Sequence, residues 1–295
     1  MNKTSSDLRS LAHVIPAIAT SDGAGVKLRR SIGSQRGLYL DPFLMLDEFG
    51  TDNPGDYIAG FPAHPHRGFE TVTYMLDGRM QHKDHLGNVG DLGPGGVQWM
   101  TAGRGVIHSE MPLQESGRMR GFQLWINLPS AEKMKPANYR DIPASEIPQA
   151  ALPGGGSIKV IAGTAEVGEA RLSGPINSPA QPLSTAPLYF DLELPAGALF
   201  EQPIPAGHNA FLYTYEGSVS IAGKSAPAQA ALVLGAGERL SLQAGPQGAR
   251  VILLAGKPLR EPVVQYGPFV MNSREEIEQA LRDYQQGVLT DSVAA

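Results

Sequence analysis

The chain has 295 residues, a formal net charge of −5, a pI of ≈ 5.8 and no cysteine. That length allows a large core and two domains, while the acidic balance argues against direct contact with nucleic acid, which draws on a basic surface. Without thiols there can be neither disulfides nor thiolate metal sites, so any metal must take nitrogen or oxygen ligands.

No apolar run reaches the length of a membrane span. The N-terminal stretch lacks a compact apolar core, so no signal peptide is expected and a cytoplasmic protein fits. Along the chain, 35 glycines and 24 prolines fall between short apolar runs and read as turns in a β-rich fold. "DPFLMLDEF" (41–49) offers apolar area for packing. "HPHRGFE" (64–70) follows, where His64, His66 and Glu70 share even parity and would project from one face of a single strand. "FETVTYML" (69–76) reads as a strand. In "MQHKDHLGN", Asp84, Gly87 and Asn88 signal a hairpin turn, which makes His82 and His85 turn residues. "GDLGPGG" (90–96) has no helix or lysine after it, so it reads as a loop between strands rather than a phosphate cradle. "GVQWM" (96–100) is the next strand. "AGRGVIHSE" then places His108 and Glu110 two apart, again on one face if extended. "GFQLWINL" (121–128) lines one face with Phe122, Leu124, Ile126 and Leu128.

Residues 130–156, rich in Pro and Ala and closing on three glycines, read as the connection between halves. This gives an expected division into an N-terminal domain at 1–135, a linker at 136–156 and a C-terminal domain at 157–295. Seven further short strands follow between 157 and 256. At the C-terminus, Ser273 and Glu276 form a capping box, with Ile277, Ala280, Leu281 and Tyr284 at helical spacing and Gly287 as the stop. With that helix the exception, the pattern predicts an all-β chain of antiparallel sandwich or barrel type.

The halves also resemble each other. "TYMLDGRM" (73–80) aligns with "LYTYEGSV" (212–219), which suggests a duplication. On that alignment His64, His66 and Glu70 fall on Pro203, Pro205 and Asn209, so the second copy lacks ligands. His13 reads as surface or packing, and His208, with no partner histidine in its half, as structural. In the first copy, two same-face pairs on neighbouring strands can converge on one ion. Three imidazoles and a carboxylate suit Fe, Zn, Cu, Ni, Co or Mn. Residue types alone leave Glu70 and Glu110 both open as the carboxylate.

His64-x-His66-x3-Glu70 resembles the first cupin metal motif, and Gly103-x-Gly105-x-x-His108 the second, with Gly where many cupins carry Pro. The longer runs "HPHRGFETVTYMLDGRMQHKDHLGN", "GVQWMTAGRGVIHSE" and "GPFVMNSREEIEQALRDY" resemble the pirin family over almost the whole chain. The resemblance implies a bicupin: two tandem cupin domains, with a metal in the first only and a degenerate second domain. It implies His64, His66, His108 and Glu110 as ligands of one divalent transition metal, Fe(II) first among the candidates, with Glu70 as an outer partner or fallback. Pirins resemble quercetin 2,3-dioxygenases. The implied activity is therefore flavonol ring opening by O2 with loss of carbon monoxide, Glu110 acting as general base. Phe61, Met75 and Trp99 are candidate walls for a flat aromatic ligand. The alternative implied function is regulatory: a metal-containing protein that binds a transcription factor or a metabolic enzyme, its metal structural or redox-sensing.

Overall fold

The computed structural model describes residues 7–291. In chain order the strands are β1 (Leu11–Pro16), β2 (Ile18–Asp22), β3 (Val26–Arg30), β4 (Phe43–Thr51), β5 (Phe61–His66), β6 (Phe69–Asp77), β7 (Met80–Asp84), β8 (Val89–Leu92), β9 (Val97–Thr101), β10 (Val106–Pro112), β11 (Met119–Asn127) and β12 (Asn138–Ile142). They continue as β13 (Gln149–Ala151), β14 (Ser157–Ala162), β15 (Thr164–Val167), β16 (Ala170–Ser173), β17 (Leu188–Leu194), β18 (Leu199–Pro203), β19 (Asn209–Ile221), β20 (Lys224–Ala226), β21 (Ala230–Leu234), β22 (Arg239–Gly256), β23 (Val264–Tyr266) and β24 (Phe269–Met271), before the helix α1 (Arg274–Gln285). The expected all-β architecture with a short C-terminal helix is what the chain forms. Among the described residues no helix is long and apolar enough to cross a membrane.

The chain divides into two units, but not at the expected boundaries. One holds the described residues up to Ala17, Leu40–Pro42 and Ser145–Pro258; the other holds Ile18–Tyr39, Phe43–Ala144 and Leu259 onward. Backbone pairing is the reason. β1 finds its partner in β21, with Val14 opposite Leu232, so the N-terminal strand completes a sheet built from the second half. Residues 259–291 pack with the unit that carries the histidine motifs. Part of the expected linker is strand as well: β12 pairs with β9, Asp141 opposite Gln98.

In the unit with the histidines, a seven-stranded sheet runs β12-β9-β6-β11-β4-β3-β2 and a four-stranded sheet runs β5-β10-β7-β8. Every pairing within them is antiparallel. β6 is central and buried on both faces, as its run of β-branched and aromatic residues requires. Thr73 and Met75 face the four-stranded sheet: Thr73 bonds to Glu110 of β10, and Met75 packs with Met80 and Leu92. Close strand approach demands glycine at Gly121, where a Cβ would lie 2.4 Å from the Tyr74 carbonyl oxygen. One end of the space between these sheets is filled by Val26, Leu28, Phe49, Tyr57, Met75, Met80, Leu92 and Met119.

The other unit is built on a nine-stranded sheet whose main order is β1-β21-β19-β22-β17-β14-β13. It buries a large apolar cluster, with Phe190, Leu192, Leu212, Leu232, Leu242, Val251 and Leu253 among its members.

The C-terminal segment is tied to the turn after His66. Helix α1 starts at the expected capping box, with Ser273 accepting from the Glu276 amide, and it buries Ile277 and Ala280. These pack with Phe269, Met271, Leu289 and Ile107. Tyr284, expected on the apolar face, is 42% exposed, its ring resting against Phe269. Arg67 donates to the Arg104 carbonyl, pairs with Asp283 at 2.6 Å and donates to the Leu289 carbonyl at 3.0 Å. Buried Lys133 donates to Asn127 Oδ1 (2.6 Å), Gly68 O (2.7 Å) and Val270 O (2.9 Å), which uses all three ammonium hydrogens. Burial pulls its pKa down to about 8, so it stays mainly charged at neutral pH. Lys133→Met would take this donor from the buried Gly68 and Val270 carbonyls and leave Asn127 Oδ1 only the Leu128 amide, a loss of about 3 kcal/mol. We expect Tm to fall by roughly 6–12 °C in a calorimetric scan; an unchanged Tm would show that this clasp contributes nothing.

Candidate metal centre

Strand register creates the site. β5 pairs antiparallel with β10, setting His64 directly opposite His108 and His66 opposite Val106. Residues opposite one another in such a pair hold their Cβ atoms about 4.5–5.5 Å apart. The rings accordingly converge, with centroids 4.5 Å apart for His64–His108, 4.7 Å for His64–His66 and 5.0 Å for His66–His108. On its other edge β10 pairs with β7, which sets Glu110 opposite His82. Two sets of donors result, His64–His66–His108 and His82–His108–Glu110, sharing His108. Within each set the donor atoms lie within 4.8 Å of one another. Both sets lie in the unit of the histidine motifs.

The donor chemistry fits a divalent ion. His64 Nδ1 lies 2.8 Å from the Pro62 carbonyl, so it carries the proton and Nε2 keeps its lone pair. His66 Nδ1 and His108 Nε2 are buried without a hydrogen-bond partner, as are both ring nitrogens of His82. Buried polar atoms ordinarily find partners, so orphans gathered in one place mark a site that expects a further group. Burial first, and neighbouring imidazoles second, hold His66 and His108 well below the usual histidine range. They are neutral, as ligands must be. Three imidazoles with one carboxylate suit a first-row transition metal.

Glu70 does not join them. Parity holds only within one strand, and β5 ends at His66 while β6 begins at Phe69. Between them Gly68 sits at φ +91°, where a Cβ would lie 2.0 Å from the Val270 carbonyl oxygen. After this turn Glu70 lies on the sheet face opposite Thr73. Its carboxylate accepts from Thr101 Oγ1 at 2.7 Å and Trp99 Nε1 at 3.2 Å, with Lys135 at 3.9 Å. The same register removes Trp99 as a wall of the site, because its indole points to Glu70. Met75 and Phe61 belong to the apolar cluster. The rings beside His66 are instead Phe69, at 5.1 Å, and Trp125, at 5.3 Å.

His82, expected in a turn, is in β7 and 5% exposed, with Nδ1 3.6 Å from Glu110 Oε1. The turn begins later, where Asp84 Oδ1 accepts from the Leu86 and Asn88 amides. The sequence signal was available: Met80 and His82 alternate with Gln81 and Lys83, the pattern of a strand with one buried face. His85 lies at that turn, with Nδ1 3.4 Å from the Ile107 amide. In the other unit, His13 is exposed on β1 and His208 is half-buried.

Facing the four-stranded sheet, the seven-stranded sheet carries a row of polar side chains in continuous register. Arg30 is opposite Asp47, Asp47 opposite Gln123, Gln123 opposite Thr73, Thr73 opposite Gln98, and Gln98 opposite Asp141. Arg30 grips Asp47 with two bonds of 2.8 and 2.7 Å, and Gln98 donates to Asp141 at 2.7 Å. Burial pushes the Asp47 carboxyl up to about 6 despite its arginine partner.

Known proteins share this arrangement of the chain. The Pirin family profile matches residues 25–126, and the profile of the Pirin C-terminal cupin domain matches residues 189–290. A Pseudomonas aeruginosa protein, provisionally named a quercetin 2,3-dioxygenase, is 58% identical over 91% of this chain and 94% of its own length. A pirin-like protein of Caulobacter vibrioides is 50% identical over 95% of this chain and 99% of its own. The 1.88 Å crystal structure of quercetin 2,3-dioxygenase from Acinetobacter baumannii superposes with a TM-score of 0.85 at 33% identity, covering 97% of this chain and all of that one. The fold is thus that of two cupin domains, and the chain belongs to the pirin family.

Proposed function

We propose that this protein is a metal-dependent dioxygenase that opens the ring of a flavonol or a similar hydroxylated aromatic with O2, and that His64, His66, His108 and Glu110 hold one divalent ion, Fe(II) first among the candidates. The observation that carries this reading is the convergence of three imidazoles, two of them buried with orphaned nitrogens, beside a buried carboxylate. The likeness to the Acinetobacter baumannii quercetin 2,3-dioxygenase over the whole chain supports the substrate class.

When bound, the ion supplies a Lewis acid and a redox-active centre for O2 chemistry. The protein supplies the rest. His66 and His108 are kept neutral by burial, so their lone pairs are available at neutral pH. Glu110 is the carboxylate in reach of the proton that an acidic substrate hydroxyl gives up, and it serves as general base. Phe69 and Trp125 give apolar surface beside His66, suited to a flat ring. The polar row offers hydrogen bonds to the hydroxyls of such a ring.

Protein reconstituted anaerobically with Fe(II), then given quercetin and O2, should bleach the flavonol absorption band. Absence of turnover with Fe, Mn, Co, Ni and Cu in parallel would defeat the enzyme reading, and retained metal binding without turnover would favour a regulatory role.

His66→Ala and Glu110→Ala should each weaken metal binding by about 100-fold or more, since even an outer partner of a ligand is worth 10–100-fold. Far-UV circular dichroism should be unchanged, because the cores are built by other residues. Glu70→Gln is the control and should keep wild-type metal content. Full occupancy in either alanine variant would remove that residue from the ligand set.

A further inference from the structure

Glu110 is held by side chains from both sheets of its unit. From β6, Thr73 Oγ1 lies 3.3 Å from Glu110 Oε1 and 2.7 Å from Gln123 Oε1. A hydroxyl has one proton and cannot donate to both. A carboxylate can only accept, whereas an amide can turn about its last torsion and present its nitrogen. The consistent arrangement is Gln123 Nε2–H donating to Thr73 Oγ1, and the Thr73 hydroxyl donating to Glu110. From β7, His82 approaches the same oxygen, with Nδ1 at 3.6 Å and in direct register with Glu110. His82 is 5% exposed and neither of its ring nitrogens is hydrogen-bonded, so this approach is a close contact just beyond hydrogen-bond length. The Thr73 and His82 approaches thus meet at Oε1.

We infer that Thr73, backed by Gln123, and His82 are positioning residues that fix Glu110 through Oε1 and leave Oε2 for the metal. This rests on the proposed role of Glu110 as a ligand. A free glutamate has a broad terminal torsion, and its two oxygens exchange easily. A hydrogen bond to one oxygen from the facing sheet, with the His82 ring packed against the same oxygen, restricts that freedom before the ion arrives. The carboxylate then meets the ion through one oxygen, in one orientation. Thr73 and Gln123 also tie that orientation to the polar row, so the row acts on the metal centre without touching it.

Thr73→Val keeps the shape of the side chain and removes only the hydroxyl. With Co(II) as probe, affinity is read by competition with a chelator and geometry by the visible absorption spectrum. Thr73→Val should bind one Co(II) per chain about 10–100-fold more weakly, with a shifted visible band. Thr73→Ser should restore both, and His82→Leu should move both in the same direction as Thr73→Val. A merely structural role would lower Tm and leave the spectrum alone. Glu110→Ala separates the two readings. If it changes the spectrum while Thr73→Val and His82→Leu match wild type, the positioning inference fails and the ligand role stands. If Glu110→Ala itself leaves the spectrum unchanged, both fail. Should Thr73→Val not fold, Gln123→Met decides: a weakened affinity and shifted band support the inference, and a wild-type spectrum overturns it.

Discussion

The centre depends on one pairing, that of β5 with β10 in a register that sets His64 against His108. A slip of one residue would turn every side chain of a strand to its other face. His64 and His66 would then leave the space between the sheets, and Pro65 and Arg67 would enter it. The fold guards this register from several sides. β10 is pinned on its second edge by β7 through five consecutive pairs, from His108–Asp84 to Pro112–Met80. The residue after His66 is a second pin. Arg67 reaches Asp283, the Leu289 carbonyl and the Arg104 carbonyl, so the chain leaving the histidine motif is anchored to α1 and the segment after it. Lys133 then ties the carbonyl of Gly68 to that of Val270.

The two cupin domains differ in what their interiors contain. The unit of residues 145–258 buries a continuous apolar core of Ile, Leu, Val, Phe and Ala. Such an interior is stable by area alone and offers nothing to a cation. The unit of the histidines keeps an apolar cluster at one end and, besides Phe69 and Trp125, sets a row of polar groups across the sheet face beyond it. Each buried polar group needs a partner, and the polar row provides it strand by strand: Arg30 for Asp47, Gln98 for Asp141, Gln123 for Thr73. That ordering is what permits a buried carboxylate and several buried imidazoles to coexist there. The alignment of the repeat puts Pro203 and Pro205 where the histidines would be; Pro203 closes β18, and Pro205 lies beyond any strand.

How far the sequence alone reaches follows from the range of the interaction that decides each feature. Parity within a strand is local, and it grouped His64 with His66 and His108 with Glu110, as found. Parity across a turn is not local. Glu70 was misplaced because the left-handed Gly68 restarts the alternation, and that conformation is set by contact with residue 270. His82 was missed because turn signals at Asp84, Gly87 and Asn88 were extended two residues too far back. Trp99 and Trp125 look alike as sequence, and only register tells that one meets Glu70 and the other His66. The capping box of α1 is local and was legible; what α1 packs on was not. The pairing of β1 with β21, some 220 residues away, leaves no mark in either segment.

The orphaned nitrogens show why the candidate site and the fold are one problem. Burying an imidazole without a partner costs free energy, and here burial and mutual proximity both favour the neutral form. Folding therefore delivers a set of lone pairs already stripped of water and already deprotonated. An ion that binds the folded chain and not the unfolded one returns part of that cost as stability, in proportion to the logarithm of its concentration over Kd. The restraints that hold the register from outside, at Arg67 and Lys133, keep the orphans together until that happens. His66 packs among the other imidazoles and also meets the Pro268 backbone, while Arg67, its neighbour, pairs with Asp283 and the Leu289 carbonyl. The imidazole cluster and the C-terminal helix are thus tied through adjacent residues, and neither arrangement can slip without moving the other.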